Sequence, residues 1–83
     1  MDIKKDLRNI INESLSKMNI DGVSFIVEVP KNKENGDYST NVAMELTKVL
    51  RKNPREIAEE IVANIDKGNI IDRIVIAGAG FIN

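Results

Sequence analysis

Two side chains, Phe81 and Asn83, have the chemistry of a pair that reads a nucleobase. Their spacing of two residues places both on the same face of an extended segment. An exposed aromatic ring stacks on a base, and a neighbouring amide can donate to and accept from an adenine edge. A plainer interpretation puts Phe81 in the core and Asn83 in a frayed end. On the pattern alone, this plainer interpretation is favoured.

A basic cluster in the middle of the chain is a second candidate for contact with nucleic acid. Its members are Lys48, Arg51, Lys52 and Arg55. Lysine and arginine side chains bind phosphate groups. Cations in the last turn of a helix also complement its macrodipole, and this structural interpretation is favoured over a phosphate site.

Two further groups are weaker candidates. Residues 78–80 read Gly-Ala-Gly, but a dinucleotide-binding motif needs a wider glycine spacing and a following helix, so a tight connection between strands is expected. Glu56, Glu59 and Glu60 fall in the first turns of a predicted helix, where negative charge is favourable. With no histidine or metal motif beside them, catalysis by these carboxylates is not expected.

The composition excludes several classes of site. The 83 residues contain no cysteine and no histidine, which excludes disulfides, thiolate metal sites and the commonest general base. We therefore expect no catalytic centre, metal or cofactor on this chain, and a cytoplasmic location. The net charge of -1 argues against strong nonspecific binding of nucleic acid. No apolar run is long enough to cross a bilayer, so no membrane partner is expected.

Hydrophobic periodicity divides the chain into helices and strands. Apolar residues at steps of three and four predict helices over residues 3–18, 39–51 and 54–65. Dense β-branched runs predict strands over residues 23–29 and 70–77, with shorter strands at 37–38 and 81–83. Asn53 is the expected N-cap of the last helix, with Pro54 at its first position. The predicted fold class is α+β: a single domain, residues 1–83, with helices packed on one face of a small antiparallel sheet.

Three blocks of sequence together resemble the arginyl-tRNA synthetases. Residues 36–43 read Gly-Asp-Tyr-Ser-Thr-Asn-Val-Ala, residues 53–58 read Asn-Pro-Arg-Glu-Ile-Ala, and residues 77–83 read Ala-Gly-Ala-Gly-Phe-Ile-Asn. Their order and spacing are similar to those of the N-terminal additional domain of the bacterial-type enzymes, and the resemblance covers the whole chain. The family usually has proline where this chain has Ala79, although both flanking glycines are kept.

The resemblance implies a place in a class I ligase that joins arginine to its tRNA using ATP, with magnesium. It implies that this domain contacts the D-loop of arginine tRNA, with Phe81 and Asn83 touching a D-loop base. The family's His-Ile-Gly-His and Lys-Met-Ser-Lys-Ser signatures do not occur in these residues. We therefore expect the catalytic domain of the same polypeptide as a second partner, and a monomeric isolated domain. The alternative is a protein-interaction module that docks on another domain without touching RNA.

Overall fold

The chain forms three helices and four short strands in the residues that the structure describes. The computed structural model describes residues 3–30, 36–66, 71, 74–78 and 80–83. In these residues the elements are α1 (Ile3–Lys17), β1 (Val27–Glu28), β2 (Ser39–Thr40), α2 (Val42–Leu50), α3 (Pro54–Ala63), β3 (Ile76–Ala77) and β4 (Phe81–Ile82). The strands lie in the order β1-β2-β4-β3, and each neighbouring pair is antiparallel. The predicted α+β class is confirmed.

The first helix ends in a Schellman motif. Asn19 takes a left-handed conformation with φ 61°. Its amide donates to the Ser16 carbonyl at 3.0 Å, and the Ile20 amide donates to the Leu15 carbonyl at 2.8 Å. These two bonds satisfy carbonyls that the helix leaves unpaired, and asparagine tolerates the left-handed conformation better than most residues.

The core lies between the helices and one face of the sheet. Its buried apolar side chains come from all three helices and from two strands: Ile11, Leu15, Val27, Val42, Ala43, Leu46, Ile57, Ala58, Ile61 and Ile82. The buried Ser14 hydroxyl donates to the Ile61 carbonyl at 2.7 Å, and Lys17 Nζ donates to the Asn64 carbonyl at 3.1 Å. These two bonds attach α1 to α3 along the edge of the core.

Three residues that lie side by side on neighbouring strands show which face of the sheet is buried. Val27 lies opposite Thr40, and Thr40 lies opposite Ile82. The three residues are only 5–7% exposed. Because side chains alternate along a strand, their neighbours Glu28 and Phe81 face the other side. Both of these neighbours are exposed.

The strands are shorter than predicted. Of residues 23–29 only Val27–Glu28 pairs in the sheet, and of residues 70–77 the described part of the chain pairs at Ile76–Ala77. Residues 70, 72 and 73 lie outside the described residues. The partner limits the length of β1, because β2 is two residues long and α2 begins after one further residue, Asn41.

The boundary between β2 and α2 is also displaced from its predicted position. The short strand falls at Ser39–Thr40 instead of residues 37–38, and the helix begins at Val42 instead of residue 39. Thr40 explains the displacement. Its backbone pairs in the sheet, while its hydroxyl accepts a hydrogen bond from the Val42 amide at 3.3 Å. The tertiary pairing of Thr40 therefore outweighs the helical periodicity of the residues around it.

Candidate nucleic-acid interface

The hairpin of β3 and β4 carries both predicted site residues. Ala77 lies opposite Phe81 and Ile76 lies opposite Ile82. The ladder continues one residue further, where Val75 and Asn83 exchange two backbone hydrogen bonds of 2.9 and 2.7 Å. Residues 81–83 are therefore extended, and Phe81 and Asn83 alternate with the buried Ile82. The structure thus brings the two predicted residues together on the face of β4 that points away from the core.

Phe81 is a surface residue. Its side chain is 39% exposed, whereas Ile82 beside it is 6% exposed. The interpretation of Phe81 as a core residue is therefore wrong. Asn83 is half-buried. A partly exposed ring next to a partly buried amide leaves one flat apolar surface and one hydrogen-bonding group available to a ligand.

Apolar neighbours widen this surface. Val75, which pairs with Asn83, is 45% exposed, and Ile26, which precedes the buried Val27, is 50% exposed. We call Ile26, Val75, Phe81 and Asn83 the outer face of the sheet. Exposed apolar side chains beside a polar group are typical of a surface that contacts a ligand or another macromolecule.

Residues 36–43, the first of the three sequence blocks, lie next to two residues of the outer face. A Cβ atom on Gly36, which has φ +88°, would lie 3.8 Å from the Cβ of Asn83. Asn41 Oδ1 accepts a hydrogen bond from the Ile26 amide at 3.0 Å. Asn41 thus bonds to the backbone of the segment leading into β1. The sequence analysis included Asn41 in the block of residues 36–43 but gave it no separate role, because it fell inside the helix predicted over residues 39–51.

The second block contacts the turn that leads into β4. Asn53 Oδ1 accepts from the Arg55 amide at 2.8 Å, so the predicted N-cap of α3 is confirmed. Gly80 is buried against Pro54: a Cβ atom there would lie 3.0 Å from the Pro54 Cβ and 3.1 Å from the Pro54 carbonyl carbon and oxygen. Arg55 Nη1 donates to the Gly78 carbonyl at 3.1 Å. Blocks separated along the chain therefore meet around β4. Ala79, the departure from the family pattern, lies outside the described residues.

The basic cluster is partly neutralised by its own surroundings. Lys48 lies 3.8 Å from Glu45, and Lys52 lies 3.3 Å from Glu60. Such exposed pairs contribute little stability, but they lower the local positive charge. Arg51 ends α2 in a left-handed conformation, with φ 54° and its amide bonded to the Thr47 carbonyl. The four residues thus form ion pairs, a helix cap and a bond to the turn.

The three candidate carboxylates, Glu56, Glu59 and Glu60, all lie on α3. In the part of the chain that the structure describes, no three carboxylates are grouped so that they could hold a metal ion. Glu56 lies in the first turn of α3, where it complements the positive end of the helix macrodipole. Among the described residues, no helix combines the length and the apolar character needed to cross a membrane.

Comparison with known proteins gives one consistent result. The family model for the arginyl tRNA synthetase N terminal domain matches residues 5–83. The arginine–tRNA ligase of Thermotoga maritima is 53% identical over 77 residues, which are 93% of this chain and 14% of that protein. The enzyme of Bacillus subtilis is 57% identical over 61 residues, or 72% of this chain and 11% of that protein.

A solved structure agrees with these sequence matches. The crystal structure of arginyl-tRNA synthetase from Plasmodium falciparum superposes with a TM-score of 0.83 and 28% sequence identity, covering 96% of this chain and 15% of that chain. The chain therefore spans about one seventh of the length of the relatives that it matches across nearly all its residues. Taken with the meeting of the three sequence blocks around β4, these matches establish that the chain belongs to the family of arginyl-tRNA synthetase N-terminal domains.

Proposed function

We propose that this domain contacts the D-loop of arginine tRNA through Phe81 and Asn83 while the rest of its enzyme attaches arginine. The observation that carries the proposal is the exposure of Phe81 beside Asn83 on the outer face of the sheet. In this proposal, residues 1–83 are joined to catalytic and anticodon-binding domains of the same polypeptide. Those domains bind ATP, with magnesium, and the assembly works in the cytoplasm.

The two side chains divide affinity and selectivity between them. Phe81 stacks on a D-loop base, and such stacking contributes about 1–3 kcal/mol for any base. Asn83 donates to and accepts from the edge of that base, and a good bidentate pair discriminates against a wrong base by about 1–3 kcal/mol. Asn83 therefore supplies the preference, and Phe81 supplies affinity that depends little on base identity.

The charge of the domain limits what it contributes alone. Its net charge is -1, and two of the four residues of the basic cluster lie in ion pairs. Counterion release on phosphate neutralisation therefore adds little to its affinity for RNA. We expect the isolated domain to be a monomer that binds tRNA weakly, with most phosphate contacts made by the other domains.

The test is aminoacylation by the full-length enzyme of two arginine tRNAs that differ only at the contacted D-loop base. Asn83→Ala is expected to raise the KM for the preferred tRNA and to reduce the preference about 5- to 150-fold. Phe81→Ala is expected to raise the KM for both tRNAs. Asn12→Ala, which removes an exposed amide from α1, is the matched control and should change neither quantity.

ATP–pyrophosphate exchange at saturating tRNA separates this proposal from the protein-interaction alternative. A base-reading residue affects binding of tRNA, so the exchange rate of Asn83→Ala should stay close to that of the wild type. If Asn83→Ala keeps the wild-type preference between the two tRNAs, Asn83 does not read the base. If the exchange rate of both variants falls instead while the preference stays, the outer face docks on another domain.

A further inference from the structure

We propose that Arg55 is a positioning residue that holds the turn from Gly78 to Gly80 against the start of α3 and so sets the placement of Phe81 and Asn83. This inference rests on the function proposed above. The bond from Arg55 Nη1 to the Gly78 carbonyl, 3.1 Å long, joins residues 23 positions apart. It therefore links two segments that the chain does not hold together locally.

The backbone of Arg55 is fixed before its side chain reaches the turn. Its amide donates to Asn53 Oδ1 at 2.8 Å, and the Ile57 amide donates to the Asn53 carbonyl at 3.1 Å. Arg55 thus extends from a capped helix end and not from a loop. A side chain that begins on a rigid element holds its partner more closely than one that begins on a loop.

A second contact holds the far end of the same turn. Gly80 is buried against Pro54, whose backbone carbonyl lies where a Cβ atom of residue 80 would come within 3.1 Å. Pro54 and Arg55 are adjacent, so consecutive residues of α3 contact the two ends of the turn. The Gly80 amide also donates to the Ala77 carbonyl at 3.2 Å, which closes the turn.

A shift of the turn would move the residues of the outer face, because the turn leads directly into β4. Phe81 follows Gly80 without an intervening residue, and the ladder between β3 and β4 has three residue pairs in the described part of the chain, the last of them Val75 with Asn83. So short a ladder gives little resistance to a shift of its turn, and register in a hairpin depends on the turn. A displacement at Gly78 would therefore reach Phe81 and Asn83.

A phosphate contact is the other role open to an exposed arginine. The bond to Gly78 uses one of the five N–H groups of the guanidinium, so the charge stays available to solvent. The two roles differ in what they change. A positioning residue alters the preference between bases, whereas a phosphate contact alters affinity equally for both tRNAs and adds to its salt dependence.

The experiment measures kcat/KM of the full-length enzyme for the same two tRNAs over a range of salt concentration. Arg55→Met, which keeps the aliphatic stem and removes the donors, is expected to reduce the preference about 2- to 10-fold, the range expected for one hydrogen bond. The salt slope should stay that of the wild type. Arg55→Lys, which retains one donor group, should lose less of the preference. Arg8→Met, an exposed arginine of α1, is the matched control and should keep the wild-type preference.

Two outcomes overturn the inference about Arg55. In the first, Arg55→Met keeps the wild-type preference. In the second, Arg55→Met lowers kcat/KM equally for both tRNAs and lowers the salt slope by about one, as loss of a phosphate contact does. The parallel Asn83→Ala enzyme separates these outcomes from failure of the proposed function: if that variant loses the preference and Arg55→Met does not, only the role of Arg55 is refuted.

Discussion

Replacing Gly80 by alanine tests how closely the turn is packed against α3. Two costs add at this position. The φ of +133° is one that residues with a side chain rarely adopt, and such strain costs about 1–3 kcal/mol. The new methyl group would also lie 3.0–3.1 Å from three atoms of Pro54, two of them in the backbone. Ordinary carbon contacts are about 3.5–4.0 Å, so either the turn or the start of α3 must move.

The expected loss is a large part of the stability of the domain. Overpacking of a close contact costs about 1–3 kcal/mol, which brings the total for Gly80→Ala to about 2–6 kcal/mol. A domain of 83 residues has a free energy of unfolding of about 4–12 kcal/mol. Gly78→Ala is the matched control. Its φ is +58° but nothing lies within 4 Å of the added Cβ atom, so it should cost only about 1–2 kcal/mol.

Urea denaturation of the 83-residue chain, followed by far-UV circular dichroism, measures both variants. The chain has no tryptophan, so its helices are the better signal. With a urea dependence of about 1 kcal/mol per molar, the Gly80→Ala midpoint should fall about 1–4 M below that of Gly78→Ala. Equal midpoints for the two variants would refute the reasoning, because the cost would then be that of the backbone alone and the approach to Pro54 would not matter.

Two caps of the helices yield further predictions, measured by the same urea transitions. Asn53→Ala should lower the free energy of unfolding by about 1 kcal/mol because α3 loses its N-cap, while Asn53→Asp, which can still cap, should stay within about 0.5 kcal/mol of the wild type. Indistinguishable midpoints for Asn53→Ala and the wild type would contradict this role. Arg51→Gly should raise the free energy of unfolding by about 0.5–1 kcal/mol, because glycine adopts the φ of 54° without strain. Arg51→Ala keeps the strain and should not raise it, and a gain shared by both variants would point to loss of the charge instead.

Features decided within a turn or two of the chain were predicted well. The end of the first helix, predicted at residue 18, and the cap at Asn53 depend on neighbours within five residues, so the residue types alone carry the information. The strands were placed in the right regions but were predicted too long. Their lengths depend on where a partner strand ends, and the partner of Val27–Glu28 is 11 or more residues away. The periodicity of one segment does not show where its partner strand ends, so it cannot predict the length of the paired region.

For the candidate site, too, local properties were predicted from the sequence and properties that depend on the fold were not. Alternation along an extended segment correctly placed Phe81 and Asn83 on one face, because that property belongs to the strand itself. Periodicity did not reveal that Phe81 is exposed, since the pairing of β4 with β2, which fixes the buried face of β4, is long-range. The contact of Arg55 with Gly78 was likewise hidden. In the sequence Arg55 is one of several basic residues, and only the fold brings it to the turn.

The position of β4 inside the sheet has a consequence for synthesis on the ribosome. Of the described strands, β4 comes latest in sequence, yet it joins β3 to the pair formed by β1 and β2. Until Ile82 has emerged from the exit tunnel, Thr40 lacks its neighbour in the buried row, and β3 has no strand to pair with. The helices can form early from local contacts, but the sheet closes only when this strand inserts between its neighbours. A nascent chain arrested before Phe81 would thus lack Ile82 in its core and the strand that links β2 to β3, so this part of the sheet would form last.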